Sequence, residues 1–170
     1  LETGLARLKA QLEVLEHAEQ SLSGYADGTR LLLKSAREGD MGGAQGALSS
    51  QLDVPENLEV AIAAALGEYL DAVLLSEDGS TEEALELLSG ETARGALLPL
   101  GALVPPDPVK VKIMGDILGV AAQLIKAPPE LRPAIDLLLG QTVIVEDRGG
   151  ARQVLAGQPA SARAVTLRGE

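Results

Sequence analysis

The chain has no cysteine, no tryptophan and no phenylalanine, a single histidine and only two tyrosines in 170 residues. Without cysteine there is no disulfide, no thiolate metal site and no cysteine nucleophile. This fits a reducing cytoplasm. With His17 as the lone imidazole, no Ser-His-Asp triad, His-based metal site or His general base can be assembled. With Tyr25 and Tyr69 as the only aromatics, a base-stacking platform is nearly excluded. A long apolar run is also missing: Val60 to Leu66 is far too short to span a bilayer, so no membrane partner is expected. The N-terminus lacks an initiator Met and a basic segment leading into an apolar one, which reads as a piece of something longer rather than a leader.

What is present is an apolar fraction of 46 % and a net charge of −11. The first belongs to a chain that buries a core. The second opposes general binding to nucleic acid or anionic membranes. The charge is uneven: residues 1–40 carry −2, residues 41–109 carry −11 and residues 110–170 carry +2. Most of these carboxylates are expected to solvate surfaces, but a sign difference between segments can also orient a partner.

Leu1, Leu5, Leu8, Leu12, Leu15 and Leu22 recur at alternating spacings of four and three, with Glu19 interrupting the series. This is the seam of a coiled coil over about three heptads. A single leucine stripe cannot bury itself, and no second heptad segment occurs in the chain. A partner helix is therefore expected from another chain or from sequence beyond Glu170. Gly24, Asp27 and Gly28 end the helix.

The remainder repeats. At an offset of 73, Met41–Gly67 aligns with Met114–Gly140, with nine identities in 27 pairs, among them Gly46/Gly119, Pro55/Pro128, Ile62/Ile135 and Leu66/Leu139. Average residue usage predicts roughly two by chance. Each copy reads as a short strand (46–52 or 119–125), a Pro-opened helix (56–66 or 129–139) closed by Gly67 or Gly140, and a strand (72–75 or 142–146). A second helix (81–89 or 149–156) and a final strand (96–100 or 163–167) follow. The expectation is an α+β fold of two pseudo-repeated mixed α/β lobes behind a coiled-coil helix. The divisions are a coiled-coil stub at 1–24, a first lobe at 25–109 and a second at 110–170.

Catalytic templates fail. Gly39-Asp40-Met41-Gly42-Gly43 lacks the Lys-Ser/Thr of a phosphate loop and leads into a strand rather than a helix, so tight turns and close backbone approach are the better reading. Glu77-Asp78 and Glu146-Asp147, equivalent in the two copies, are read as acidic strand-end turns in preference to a metal site. No catalytic residue, metal site or cofactor is expected.

The order of these features resembles the hinge domain of bacterial SMC (structural maintenance of chromosomes) proteins. The residues that carry it are the heptad helix running into Gly24-Tyr25, then Gly28–Leu33, Gly43–Leu48, Ala61–Leu70, Ala96–Leu100, Leu139–Asp147 and Ala164–Glu170. The resemblance implies a homodimerising hinge that joins two coiled-coil arms of a chromosome-condensation and segregation ATPase. The ATPase heads, and any kleisin-type subunits bound to them, would lie outside this chain, and the location would be cytoplasmic and nucleoid-associated. The family usually continues beyond the tail into a glycine-rich stretch and a returning arm. By the same resemblance, Gly95, Ala96, Leu97, Leu98 and Leu100 would meet Val165, Thr166, Leu167 and Gly169 of a second copy, edge strand to edge strand. The alternative is a DNA-sensing module acting through Lys110, Lys112, Arg148 and Arg152. The acidity and the scarcity of aromatics favour the dimerising reading over weak DNA contact, and over a third reading as a coiled-coil-borne adaptor.

Overall fold

The computed structural model describes residues 2–22 and 25–170, with side chains from residue 4 onward except 17–24. The chain begins with one helix, α1 (Glu2–Leu22), and the described side chains of α1 are all exposed. Leu5, Leu8, Leu12 and Leu15 therefore form an open apolar stripe, with Val14 beside it. Leu1 and the side chains of His17 and Leu22 lie outside the described residues.

The rest is α+β, built on two three-stranded mixed sheets. The first contains β1 (Ala44–Ala47), β2 (Val73–Leu75) and β3 (Leu97–Pro99) in that order, and the second β4 (Ile117–Val120), β5 (Thr142–Val145) and β6 (Arg163–Thr166). In each, the first strand runs antiparallel to the second and the third runs parallel to it. Helices α2 (Asp27–Glu38), α3 (Glu59–Leu66) and α4 (Thr81–Gly90) accompany the first sheet. Helices α5 (Ala121–Leu124), α6 (Arg132–Leu139) and α7 (Arg148–Leu155) accompany the second.

Local chemistry explains the ends of these elements. Ser80 accepts the Glu83 N–H at the start of α4 (3.2 Å), and Glu82 and Glu83 occupy its first turn. Asp147 accepts the Gly150 N–H at the start of α7 (3.0 Å), so this carboxylate serves as a helix cap. Pro133 sits at the opening of α6, where a missing N–H has no intrahelical partner to lose. Gly43, at positive φ, is pressed against the backbone of Gly79 and accepts the Ser76 N–H (2.8 Å), which is the close approach its sequence context suggests.

Two expectations shift. The strands expected at 46–52 and 119–125 are shorter and earlier. Residues 48–51 form a single 3-10 turn, tied by Ser50 Oγ to the Ala47 carbonyl (2.7 Å), and Ala121–Leu124 is a helical turn. The break follows Gly46 and Gly119, both at positive φ, where each strand also slips register against its neighbour. Gly140 also differs from Gly67: only Gly67 has positive φ, while Gly140 continues the helical conformation.

The duplication is visible in three dimensions. Asp53 and Lys126, equivalent in the two copies, pair with each other: the Asp53 N–H donates to the Lys126 carbonyl (2.8 Å) and the Lys126 N–H to the Asp53 carbonyl (2.9 Å). Helix α3 packs on its counterpart α6. An internal pseudo-two-fold axis thus runs between the copies. The larger core lies around it, with Leu58/Leu131, Ile62/Ile135 and Leu66/Leu139 buried as equivalent pairs beside Leu74, Leu98, Val143, Ile144 and Val145. The first sheet has a second core on its other face, where Val73 and Leu75 meet Leu32, Leu33, Ala84 and Leu88 under α2 and α4. The alternation along β2 sends Leu74 one way and its neighbours the other.

Candidate dimerisation edges

Edge strands carry the functional expectation, and the hydrogen-bond ledger shows what each has left to offer. Strands β3 and β6 are both outermost in their sheets. Within a strand, successive residues turn their N–H and C=O to opposite sides. On β3, the Ala96 carbonyl accepts the Val73 N–H (2.9 Å), so Ala96 and Leu98 face inward and Leu97 and Pro99 face outward. Pro99 has no N–H, and as the residue opening the 3-10 turn at Leu100–Ala102 its carbonyl is engaged by that turn. The outward backbone groups left open on β3 are the N–H and C=O of Leu97.

On β6, the Arg163 N–H donates to the Gln141 carbonyl (2.8 Å) and the Leu167 N–H to the Val145 carbonyl (3.0 Å). Arg163, Val165 and Leu167 therefore face β5, while Ala164 and Thr166 face outward. The chain then turns back at Gly169, which has positive φ. The Thr166 N–H donates to the Glu170 carbonyl (3.0 Å), its carbonyl accepts the Gly169 N–H (2.9 Å), and its hydroxyl accepts the Glu170 N–H (3.2 Å). Thr166 is thus closed off by its own turn, and Ala164 keeps its N–H and C=O outward.

The side chains named from the sequence divide into two groups. Leu98, Val165 and Thr166 are buried in the chain's own interior, Leu98 at only 4 % exposure, so they are spent on the fold and offer no side-chain surface to a second copy. Ala96, Leu97, Leu100 and Leu167 are half-buried and Gly95 is exposed. Gly169 lies against Val60 and Ala64 of α3. Ala164, which opens the candidate edge strand running to Gly169, is a half-buried edge position. Gly169 was the available signal that the strand ends at Thr166 and turns.

Helix α2 braces the start of β3. Gly28 lies directly against the Arg94–Gly95 backbone, where a side chain would not fit, and the buried Thr29 hydroxyl donates to the Asp71 carbonyl (2.7 Å). Sequence reading passes over Thr29 because nothing in its neighbours marks it as buried.

The basic candidates lie near α7. Arg148 and Arg152 are four residues apart on it, Lys110 is tied to its far end by Gln158 Nε2 on the Lys110 carbonyl (3.1 Å), and Lys112 is exposed. Arg148 is engaged by Glu170, which accepts from Nη2 and, at 3.2 Å, from Nε. The Arg148 hydrogen bond is the largest cause holding the Glu170 carboxyl below the ordinary carboxylate value; partial burial opposes it and the charges of Arg148 and Arg168 add to it. The Arg148 guanidinium is correspondingly raised. A carboxyl with a depressed folded-state pKa contributes above its unfolded value and loses that contribution as pH falls through the folded value. Acidification through the carboxylate range is therefore expected to release Glu170 from Arg148. The Glu170 carboxyl shift followed by NMR should titrate below an ordinary glutamate, and Arg148→Gln should return it to normal. An ordinary titration in the unaltered chain would refute the pairing in solution.

Among the described residues, no helix is long and apolar enough to cross a membrane.

Comparison with known proteins agrees with this architecture. Residues 41–155 match the sequence profile of the SMC proteins Flexible Hinge Domain. The chain is 30 % identical to the chromosome partition protein Smc of Halothermothrix orenii over 95 % of its own length, and it spans 14 % of that relative. Among solved structures, an asymmetric dimer of the Geobacillus stearothermophilus SMC hinge domain superposes with a TM-score of 0.78 at 26 % identity, covering 96 % of this chain and 69 % of that one. A Pyrococcus furiosus Smc hinge domain with an extended coiled coil superposes at 0.69 and 25 % identity, covering 99 % and 60 %.

Proposed function

Because the chain belongs to the SMC flexible-hinge family, a non-catalytic fold, we propose that it is a homodimerisation hinge joining two coiled-coil arms of a chromosome-partition protein. The observation that carries this reading is the pairing of duplication with open edges. In each of the two equivalent sheets the last strand, β3 or β6, is one of the two outermost, so one chain presents equivalent edges on its two lobes. A second copy related by a two-fold axis can meet both at once, the first lobe of each chain against the second lobe of the other, and the ring closes with two members. The open leucine stripe of α1 supports the arm: Leu5, Leu8, Leu12 and Leu15 need a helix to pack on, and a returning arm beyond Glu170 supplies one. ATP hydrolysis, kleisin-type partners and the nucleoid belong to the rest of such a protein.

The test is the mass in solution, by light scattering coupled to gel filtration over a range of concentrations. A species of twice the chain mass is expected. A monomer at every accessible concentration rejects the hinge reading.

A further inference from the structure

We propose that the second lobe docks an amphipathic helix of another protein, one with an apolar stripe and acidic flanks, on the face formed by Ile113, Met114 and Leu155. The first lobe supplies the template. There α2 and α4 lie over the sheet, and Met41 and Leu88 are buried at 3 % and 6 % exposure beside Leu32 and Leu33 of α2. In the second lobe Met114 corresponds to Met41. The helix caps Ser80 and Asp147 are equivalent too, and each stands eight residues before its leucine, so Leu155 corresponds to Leu88. Yet Met114 is 58 % exposed and Leu155 41 %, and Ile113, next to Met114, is 73 % exposed. Single exposed apolar side chains are ordinary. Two that are exposed where their counterparts share one core mark a surface short of a partner.

The difference is a helix. At the offset that aligns Met41 with Met114, α2 corresponds to residues 100–111. Those residues form the 3-10 turn Leu100–Ala102 and then an extended, Pro-rich linker. The linker takes over part of the cover: Val109 is buried, its N–H donates to the Gly140 carbonyl (2.9 Å), and Val111 packs against the larger core. It leaves Met114 and Leu155 at the surface, and on α7 it is Val154 that turns inward. Gly150, near the start of α7, lies against Asp116, and Gln158, just past its end, bonds the Lys110 carbonyl (3.1 Å). The helix bearing Leu155 therefore runs beside the segment bearing Ile113 and Met114.

Charge selects the occupant. Lys110 and Lys112 lead into the apolar pair, and Arg152 lies one turn before Leu155 on α7; all three are exposed. Asp116 is the only carboxylate between residues 109 and 116. An acidic helix is thus drawn to this lobe, at +2, and repelled by the first, at −11. A second copy's α2 has the wrong sign, with Arg30, Lys34 and Arg37 against Asp27 and Glu38. Nucleic acid fits less well, because Ile113 and Met114 offer nothing to phosphate and both tyrosines of the chain lie in the first lobe.

Two measurements test this, and neither depends on the mass of the chain in solution. The first compares equivalent positions by thermal melting. Met114→Ser and Leu155→Ser should melt within about 2 °C of the parent, whereas Met41→Ser should lose at least about 5 °C. Equal losses at Met41 and Met114 would mean that the face is already covered, and would overturn the proposal. The second uses a fluorescent peptide of residues 27–38 with Arg30→Glu and Arg37→Glu, stapled into a helix across the exposed positions 34 and 38. Fluorescence anisotropy should show saturable binding to the parent chain. Affinity should fall at least about tenfold for Met114→Ser, for Leu155→Ser and for the same peptide with both arginines restored. No binding, or binding indifferent to both serines, would overturn the proposal. Duplex DNA that binds more tightly than the peptide and is weakened by the same serines would reassign the face to nucleic acid. A change of mass on Met114→Ser would make it a contact between copies, and a chain extended beyond Glu170 that no longer takes the peptide would show that the protein covers the face itself. Each of these results also overturns it.

Discussion

Leu98→Arg is expected to unfold the chain rather than convert a dimer into folded monomers. From sequence alone, Leu98 looks like an interface residue on an edge strand. Its side chain is 4 % exposed, beside Leu74 in parallel register on β2, and it belongs to the core shared by both sheets. Replacement forfeits roughly 2 kcal/mol of apolar burial and forces a guanidinium into an apolar cluster. The combined loss should exceed about 4 kcal/mol. That is a large share of the about 5–15 kcal/mol that holds a domain of this kind together. Circular dichroism and a thermal melt decide it: loss of the cooperative transition is expected, and a folded Leu98→Arg chain melting within a few degrees of the parent would show that Leu98 does not support the core. An edge strand can thus be at the boundary of its sheet and still have alternate side chains in the interior, so a charge placed on it blindly tests stability rather than association.

The second large effect concerns the internal axis. Ile62 and Ile135 occupy equivalent positions on α3 and α6, at 1 % and 0 % exposure, and these helices pack on each other. Each Ile→Ala substitution should cost about 2–5 kcal/mol, from the lost methyl groups plus the cavity left behind. The two costs should be similar, because the environments are near copies. They should also fail to add by at least about 0.5 kcal/mol in the double variant, since both residues line one shared core. Urea unfolding of the two single variants and the double one measures this. Strict additivity would mean that the two copies are held together elsewhere, and a single variant unfolding as two separate transitions would mean that the copies fold independently.

Much of the architecture is legible in the residues because repetition amplifies weak signals. Gly46/Gly119, Pro55/Pro128 and the apolar pairs through Leu66/Leu139 each say little alone, yet together they specify a unit used twice, and the structure shows the same strand order and directions in both copies. The coiled-coil stripe is legible for the same reason: a 3.5-residue period leaves one face to cover. Strand limits were less accessible. Residues 48–51 and 121–124 carry no proline or glycine of their own to mark a break, and positive φ at Gly46 and Gly119 precedes the turn of the backbone out of extended geometry there. Thr29 could not be seen as a buried hydrogen-bonding residue, because its partner carbonyl at Asp71 is distant in sequence.

The candidate site divides along the same line. Composition alone removed thiol, imidazole and aromatic chemistry, and the family-like order of motifs placed the two candidate edge strands. Those are properties of residue identity and spacing, which the sequence states directly. Which of their groups remain open was decided by tertiary structure, since a backbone donor is free or spent according to what lies beside it. Thr166 is spent on Glu170 and Gly169, and Leu98 and Val165 are spent on the core. Periodicity marks a strand, but only neighbours in space determine which of its edges still needs a partner.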